Sequence, residues 1–232
     1  NAWQFFSIYA CIDGFAPGTT PRPRVADRAD LDRWVLSLVQ ATVIDVTGSL
    51  ESNDLSGAAS SLEEFVESLT NWYIRRSRRR FWKSEGDADK HAAHWTLYEV
   101  LTTLSRLLAP FMPFLAERMH QDLVRAFDAS APLSVHLTDW PVADTSVIDD
   151  VVLNRQAAAR QVVTLGHAAR QDAAIGVRQP LASVTVVSVD EALQASLDDE
   201  ATAVIVRDEL NVKELRFAED RGAYVDYTVK PN

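Results

Sequence analysis

The chain has 232 residues, 47% of them hydrophobic, and 33 acidic side chains against 23 lysines and arginines give a net charge of -10. It is long and apolar enough for one large domain or two smaller ones with a real core, which excludes a mainly disordered chain. One cysteine, Cys11, excludes a disulfide framework and a cysteine-rich zinc site within the chain; the absence of any long apolar run or signal-peptide pattern predicts a soluble, cytoplasmic protein with no membrane partner.

Residues 1–13 read as the end of a buried helix, with Cys11 as core filler, closed by a Gly- and Pro-rich connection from Gly14 to Pro23. Asn1 runs straight into an apolar stretch, which suggests a piece of a longer protein. From Arg28 to about Glu51, Leu31, Trp34, Val35, Leu38, Val39, Thr42, Val43 and Val46 recur at helical spacing, with Asp27 or Asp30 available as a cap. A second helix is predicted from about Asp54 to Trp82, and a third from Asp87 to Leu108 with Trp95, Tyr98, Leu101 and Leu108 inward. A fourth, entered through Pro110 and Pro113, runs through Phe127. Four amphipathic helices on short connections predict a mainly α chain, an antiparallel helix bundle within residues 1–143. Ser134–Pro141 reads as an extended link, and a connecting helix from Val147 to Asp172 lies in the stretch 144–175. Beyond Gly176 the apolar period changes. Val184–Val189, Val212–Ala218 and Tyr224–Val229 read as strands and Asp198–Asp208 as a helix, so residues 176–232 form a small C-terminal α/β subdomain.

The second helix ends in Asn71-Trp72-Tyr73-Ile74-Arg75-Arg76-Ser77-Arg78-Arg79-Arg80-Phe81-Trp82, with five arginines. No acid stands between Glu67 and Glu85, so this run reverses the sign of an acidic chain and is suited to a polyanion. At about 100° per residue, Leu62, Phe65, Val66, Leu69 and Tyr73 share the core-facing stripe. Asn71, Arg75, Arg78 and Trp82 fall opposite, with Arg79 beside them. Unpaired RNA bases stack on aromatic and guanidinium planes, arginines hold phosphates, and an Asn amide can read a base edge. The plainer alternative is a solvated basic face with Trp82 packed under the next helix. Arg76 and Arg80 fall near the apolar side, where their heads can snorkel or pair with acids of another helix.

Nothing in the chain forms a catalytic constellation. It has no Gly-rich phosphate loop, no Gly-x-Ser-x-Gly elbow and no His-Glu-x-x-His. His91 and His94 read as a solvated helix start, while His120, His136 and His167 stand alone. Catalytic and metal-binding residues are therefore expected to be none.

Together with Asn71–Trp82, three further segments carry a resemblance: Thr96–Leu101, Leu107–Glu117 and Ser134–Pro141. In order and spacing these resemble the anticodon-binding region of isoleucyl-tRNA synthetases, class I aminoacyl-tRNA synthetases, across at least residues 65–141. Val177-Arg178-Gln179-Pro180-Leu181 is similar to the opening of the C-terminal portion in one branch of that family. The resemblance implies anticodon recognition of isoleucine tRNA through Asn71, Arg75, Arg78, Arg79 and Trp82. It implies an upstream catalytic domain as partner, with ATP handling and zinc or magnesium in the full-length enzyme and no cofactor in this chain. The His-Ile-Gly-His and Lys-Met-Ser-Lys-Ser motifs are absent from these residues, so the chain is expected to be inactive alone. The competing expectation is a free-standing helical interaction module whose basic stripe docks an acidic protein partner.

Overall fold

The computed structural model describes residues 2–82, 88–188 and 190–218, in two compact units, Asn1–Asp149 and Asp150–Asn232. The predicted strand Tyr224–Val229 lies outside the described residues.

In the first unit, α1 (Ala2–Ile12) precedes α2 (Asp30–Glu51), α3 (Leu55–Ser68), α4 (Arg75–Trp82), α5 (Ala88–Leu108) and α6 (Pro113–His120). Helix α2 packs against both α3 and α5, and α6 packs on α5. The core of this bundle includes Trp34, Val39, Val43, Phe65, Leu69, Tyr73, Phe81, Leu97, Leu101 and Leu107. Pro113 enters α6 at its start, where a missing N–H costs nothing. The helix expected to reach Phe127 instead loosens into a π turn at Gln121–Arg125.

Three local expectations are corrected. Neither Asp27 nor Asp30 caps α2: the N-cap is Ala29 with no side-chain bond, Asp27 pairs with Arg24, and Asp30 pairs with Arg33. Cys11 is exposed rather than core filler, because α1 buries only the face carrying Ala2, Phe6 and Ala10. His94 is buried rather than solvated, its Nε2 2.8 Å from the Asp13 carboxylate.

After this π turn the chain crosses back over the bundle without regular structure except for 3-10 turns at Val135–Leu137 and Thr145–Val147, the first inside the link expected to be extended. Glu117 holds its start, accepting from Ser134 Oγ at 2.7 Å and Val135 N at 3.0 Å. Further along, Trp140 Nε1 donates to Thr47 Oγ1, Asp144 N to Gln40 Oε1, and Ser37 Oγ to the Val147 carbonyl. These bonds fasten the crossing segment along α2.

The second unit opens with α7 (Asp150–Asp172), and so includes the helix expected as a connection. It continues through β1 (Leu181–Val187), α8 (Glu191–Asp198), α9 (Glu200–Leu210) and β2 (Val212–Ala218). The two strands pair in parallel, Leu181 opposite Val212 and Val187 opposite Ala218, with the two helices forming the crossover. Asn211 closes α9 in the left-handed region at φ 49°, and the buried Arg170 guanidinium donates to the Leu210 carbonyl at 2.6 Å. Gly166 gives Leu210 room: a Cβ there would lie 2.5 Å from Leu210 Cδ1. Among the described residues, no helix is long and apolar enough to cross a membrane.

Candidate nucleic-acid interface

The segment predicted as one helix over 54–82 is interrupted by a π turn at Leu69–Ile74. Its physical effect is a phase shift. A turn closed by i→i+5 bonds takes one residue more than an α turn and so rotates everything after it. At a strict α count Phe81 would drift about 120° from Leu69 and leave the core. In the structure Leu69, Tyr73, Ser77 and Phe81 all remain buried. The same rotation keeps Asn71, Arg75, Arg78, Arg79 and Trp82 exposed on the other side.

The inward face is anchored by charge as well as by apolar packing. Arg80 forms a two-pronged pair with Asp32 of α2, at 2.8 and 2.6 Å, and its Nε donates to Asp89 of α5 at 3.0 Å. Asp32 is fully buried and also accepts the Tyr73 hydroxyl at 2.7 Å. Burial works against the Arg80 charge, yet the Asp32 carboxylate outweighs it and holds the guanidinium pKa above its ordinary value. Burial, reinforced by the Asp32 charge, pushes the Tyr73 pKa well up, so its hydroxyl remains a donor.

Next to this pair, Phe81 enters an aromatic cluster, 5.0 Å from Phe5 and 4.9 Å from His94 in edge-on contacts. His94 Nε2 lies 2.8 Å from Asp13 Oδ2, and Lys90 Nζ donates to the other oxygen of the same carboxylate. Burial depresses the His94 pKa. For Asp13, burial acts to raise the pKa, but the bonds from Lys90 and His94 prevail and lower it.

The outward face presents an amide, three guanidinium groups and an indole to solvent. Trp82 is 62% exposed, its indole edge steadied by Nε1 donating to the Tyr9 hydroxyl of α1, which leaves a ring face for stacking. Among the described residues, Trp82 is not packed under the following helix. Arg75 Nε donates to the Asn71 carbonyl at 2.9 Å, and the Arg75 and Arg76 guanidinium carbons stand 5.7 and 5.4 Å from the Trp72 ring centre. Cation–π contact with a buried indole thus stiffens two of the arginines at the root of the stripe.

Sequence reasoning finds the exposed residues but misses Trp72, Tyr9, Asp32 and Asp89 as the groups that orient them. Only the inward angular position of Arg80 signals that an acid must wait for it.

Residues 32–186, well over half of the chain, match the protein family described as the anticodon-binding domain of tRNA ligase. The chain belongs to that family. As an anticodon-binding domain it is similar to the isoleucine–tRNA ligase of Dehalococcoides mccartyi, 48% identical over 94% of this chain and 21% of that protein. It is similar also to the isoleucine–tRNA ligases of Chlamydia trachomatis, 41% identical, and Clostridium tetani, 38% identical, each over 100% of this chain and 22% of the relative. The anticodon-binding domain thus spans about a fifth of the length of the curated relatives it matches.

Proposed function

We propose that this chain recognises the anticodon stem-loop of isoleucine tRNA, as the non-catalytic part of an isoleucine–tRNA ligase that attaches isoleucine to its tRNA using ATP. The observation that carries the proposal is the outward stripe of Asn71, Arg75, Arg78, Arg79 and Trp82 on a helix whose inward face is fixed by Arg80 and Phe81. Membership of the anticodon-binding family and high coverage by isoleucine–tRNA ligases support it. In this proposal the arginines hold loop phosphates, Trp82 stacks an unpaired base and Asn71 reads a base edge. Amino-acid activation, with ATP and any zinc or magnesium, belongs to an upstream catalytic domain of the same polypeptide, in the cytoplasm.

A tRNA-binding assay across a salt series tests the reading. Binding should weaken steeply with salt and favour isoleucine anticodons. Weak, anticodon-blind association would instead support a basic stripe that docks an acidic protein.

A further inference from the structure

Arg106 occupies the last turn of α5, where it forms a wall shared by two clefts of about 300 and 280 Å³. Among the described residues its buried Nε meets no acceptor and no carboxylate pairs with the guanidinium. One turn earlier, Thr102 Oγ1 is buried in the wall of the larger cleft against the Tyr98 hydroxyl. The buried Arg28 and the half-buried Arg80 of this unit are compensated, Arg28 by Glu99 and Thr96, and Arg80 by Asp32 and Asp89, whereas half-buried Arg106 is not. Burial with no acid to offset it draws the Arg106 pKa below its ordinary value.

A half-buried cation whose Nε is cut off from water and has no counter-charge is an arrangement that an anion from outside would complete. The larger cleft suits an anion better than the smaller. Of its two acids, Glu99 is paired with both Arg22 and Arg28, while Asp144 accepts from the neutral Ser146 N–H and hydroxyl and keeps its charge; with Arg22, Arg28 and Arg106 the cations still outnumber the acids there. The smaller cleft is lined by Asp139, which would repel an anion. At about 300 Å³ the larger cleft lies at the lower limit of ligand pockets, room for a phosphate with its sugar rather than for a protein element.

We propose that this cleft, between α2, α5 and the crossing segment, is a second RNA contact that takes a backbone phosphodiester of the bound tRNA, held by the Arg106 guanidinium and the Thr102 hydroxyl. The proposal rests on the tRNA reading above. A planar fork with a hydroxyl beside it matches two phosphate oxygens, and a phosphate contact fixes how the RNA lies without reading its sequence.

Arg106→Met tests it, because the substitution keeps the bulk of the side chain and removes the charge. Isoleucine tRNA should bind about tenfold more weakly at low salt, with the slope of log affinity against log salt shallower by about one. The melting temperature should equal or exceed that of the wild type, since an uncompensated charge has been removed. Inorganic phosphate, compared with chloride at equal ionic strength, should raise the melting temperature of the wild type and not of the variant. Unchanged tRNA affinity and slope would overturn the proposal. So would early unfolding of the variant, which would make the guanidinium a structural group or the partner of a carboxylate elsewhere in the longer polypeptide. Should wild-type protein show no preference for isoleucine tRNA, the functional reading fails by itself; an equal phosphate response in wild type and variant then overturns the cleft independently.

Discussion

The arginines of one helical run have two fates. Arg80 is drawn into the bundle, where buried Asp32 and half-buried Asp89 neutralise it, whereas Arg78 and Arg79, its immediate predecessors in the same turn, stand in water. The difference teaches that a basic run is not one electrostatic object. Its inward member fixes the angular phase of the helix, and its outward members inherit that phase as a fixed array. A polyanion would then meet charges whose angular positions on the helix have been set in advance.

The largest expected effect lies on the inward side. Asp32→Ala removes both prongs of the Arg80 pair and the acceptor of Tyr73, leaving a buried cation, and should cost about 3–5 kcal/mol in urea unfolding. A loss below 1 kcal/mol would show that the pair does not anchor α4. Tyr73→Phe deletes one hydrogen bond to the same carboxylate, with an expected loss of about 1.5–3 kcal/mol. That value should shrink sharply in an Asp32→Asn background, and independence of the two substitutions would break the network.

The His94 cluster behind Phe81 gives a pH signature of the same inward face. Burial lowers the His94 pKa from its ordinary 6.5, so the unfolded chain binds this proton more readily than the folded one. Its contribution is therefore fully present above about pH 6.5 and is lost as pH falls below that value, by at most about 1.4 kcal/mol per pH unit. Asp13, whose pKa is lowered below 3.8, loses its contribution only in stronger acid. Unfolding measured from pH 7.5 downward should show the first decline, and His94→Gln should flatten it. On the outward side, Arg78→Ala and Arg79→Ala should change stability by no more than about 0.5 kcal/mol while each lowers the salt dependence of tRNA binding by about one counterion. Destabilisation comparable to Asp32→Ala would erase the distinction between the two faces.

Much of this division is legible in the amino-acid order. Apolar spacing identifies the core stripe, and the same count puts Asn71, Arg75, Arg78 and Trp82 outside and Arg80 inside. Val212–Ala218 is likewise found as a strand with its observed limits. What periodicity misses is nonlocal or depends on helix register. The π turn at Leu69–Ile74 has no apolar signature, since it arises from packing that must keep both Leu69 and Phe81 in one core. The partner of Arg80 stands 48 positions earlier, at an aspartate that resembles any first-turn acid. His94 is misread as solvated because its acid, Asp13, comes from the turn after α1. Arg106 shares its fate: its place between two clefts depends on how the crossing segment is fastened along α2.

The central claim is that the outward face binds RNA without contributing to the core, and Trp82→Ala tests it most directly. Measured side by side, isoleucine-tRNA affinity should fall by about 1–3 kcal/mol, the scale of one lost base–aromatic stack, while the unfolding midpoint stays near that of the wild type. Tyr9→Phe, which removes only the hydrogen bond to the indole, should leave most of the affinity in place. Normal tRNA binding by a Trp82→Ala protein that unfolds several degrees early would contradict the account and make Trp82 a packing residue.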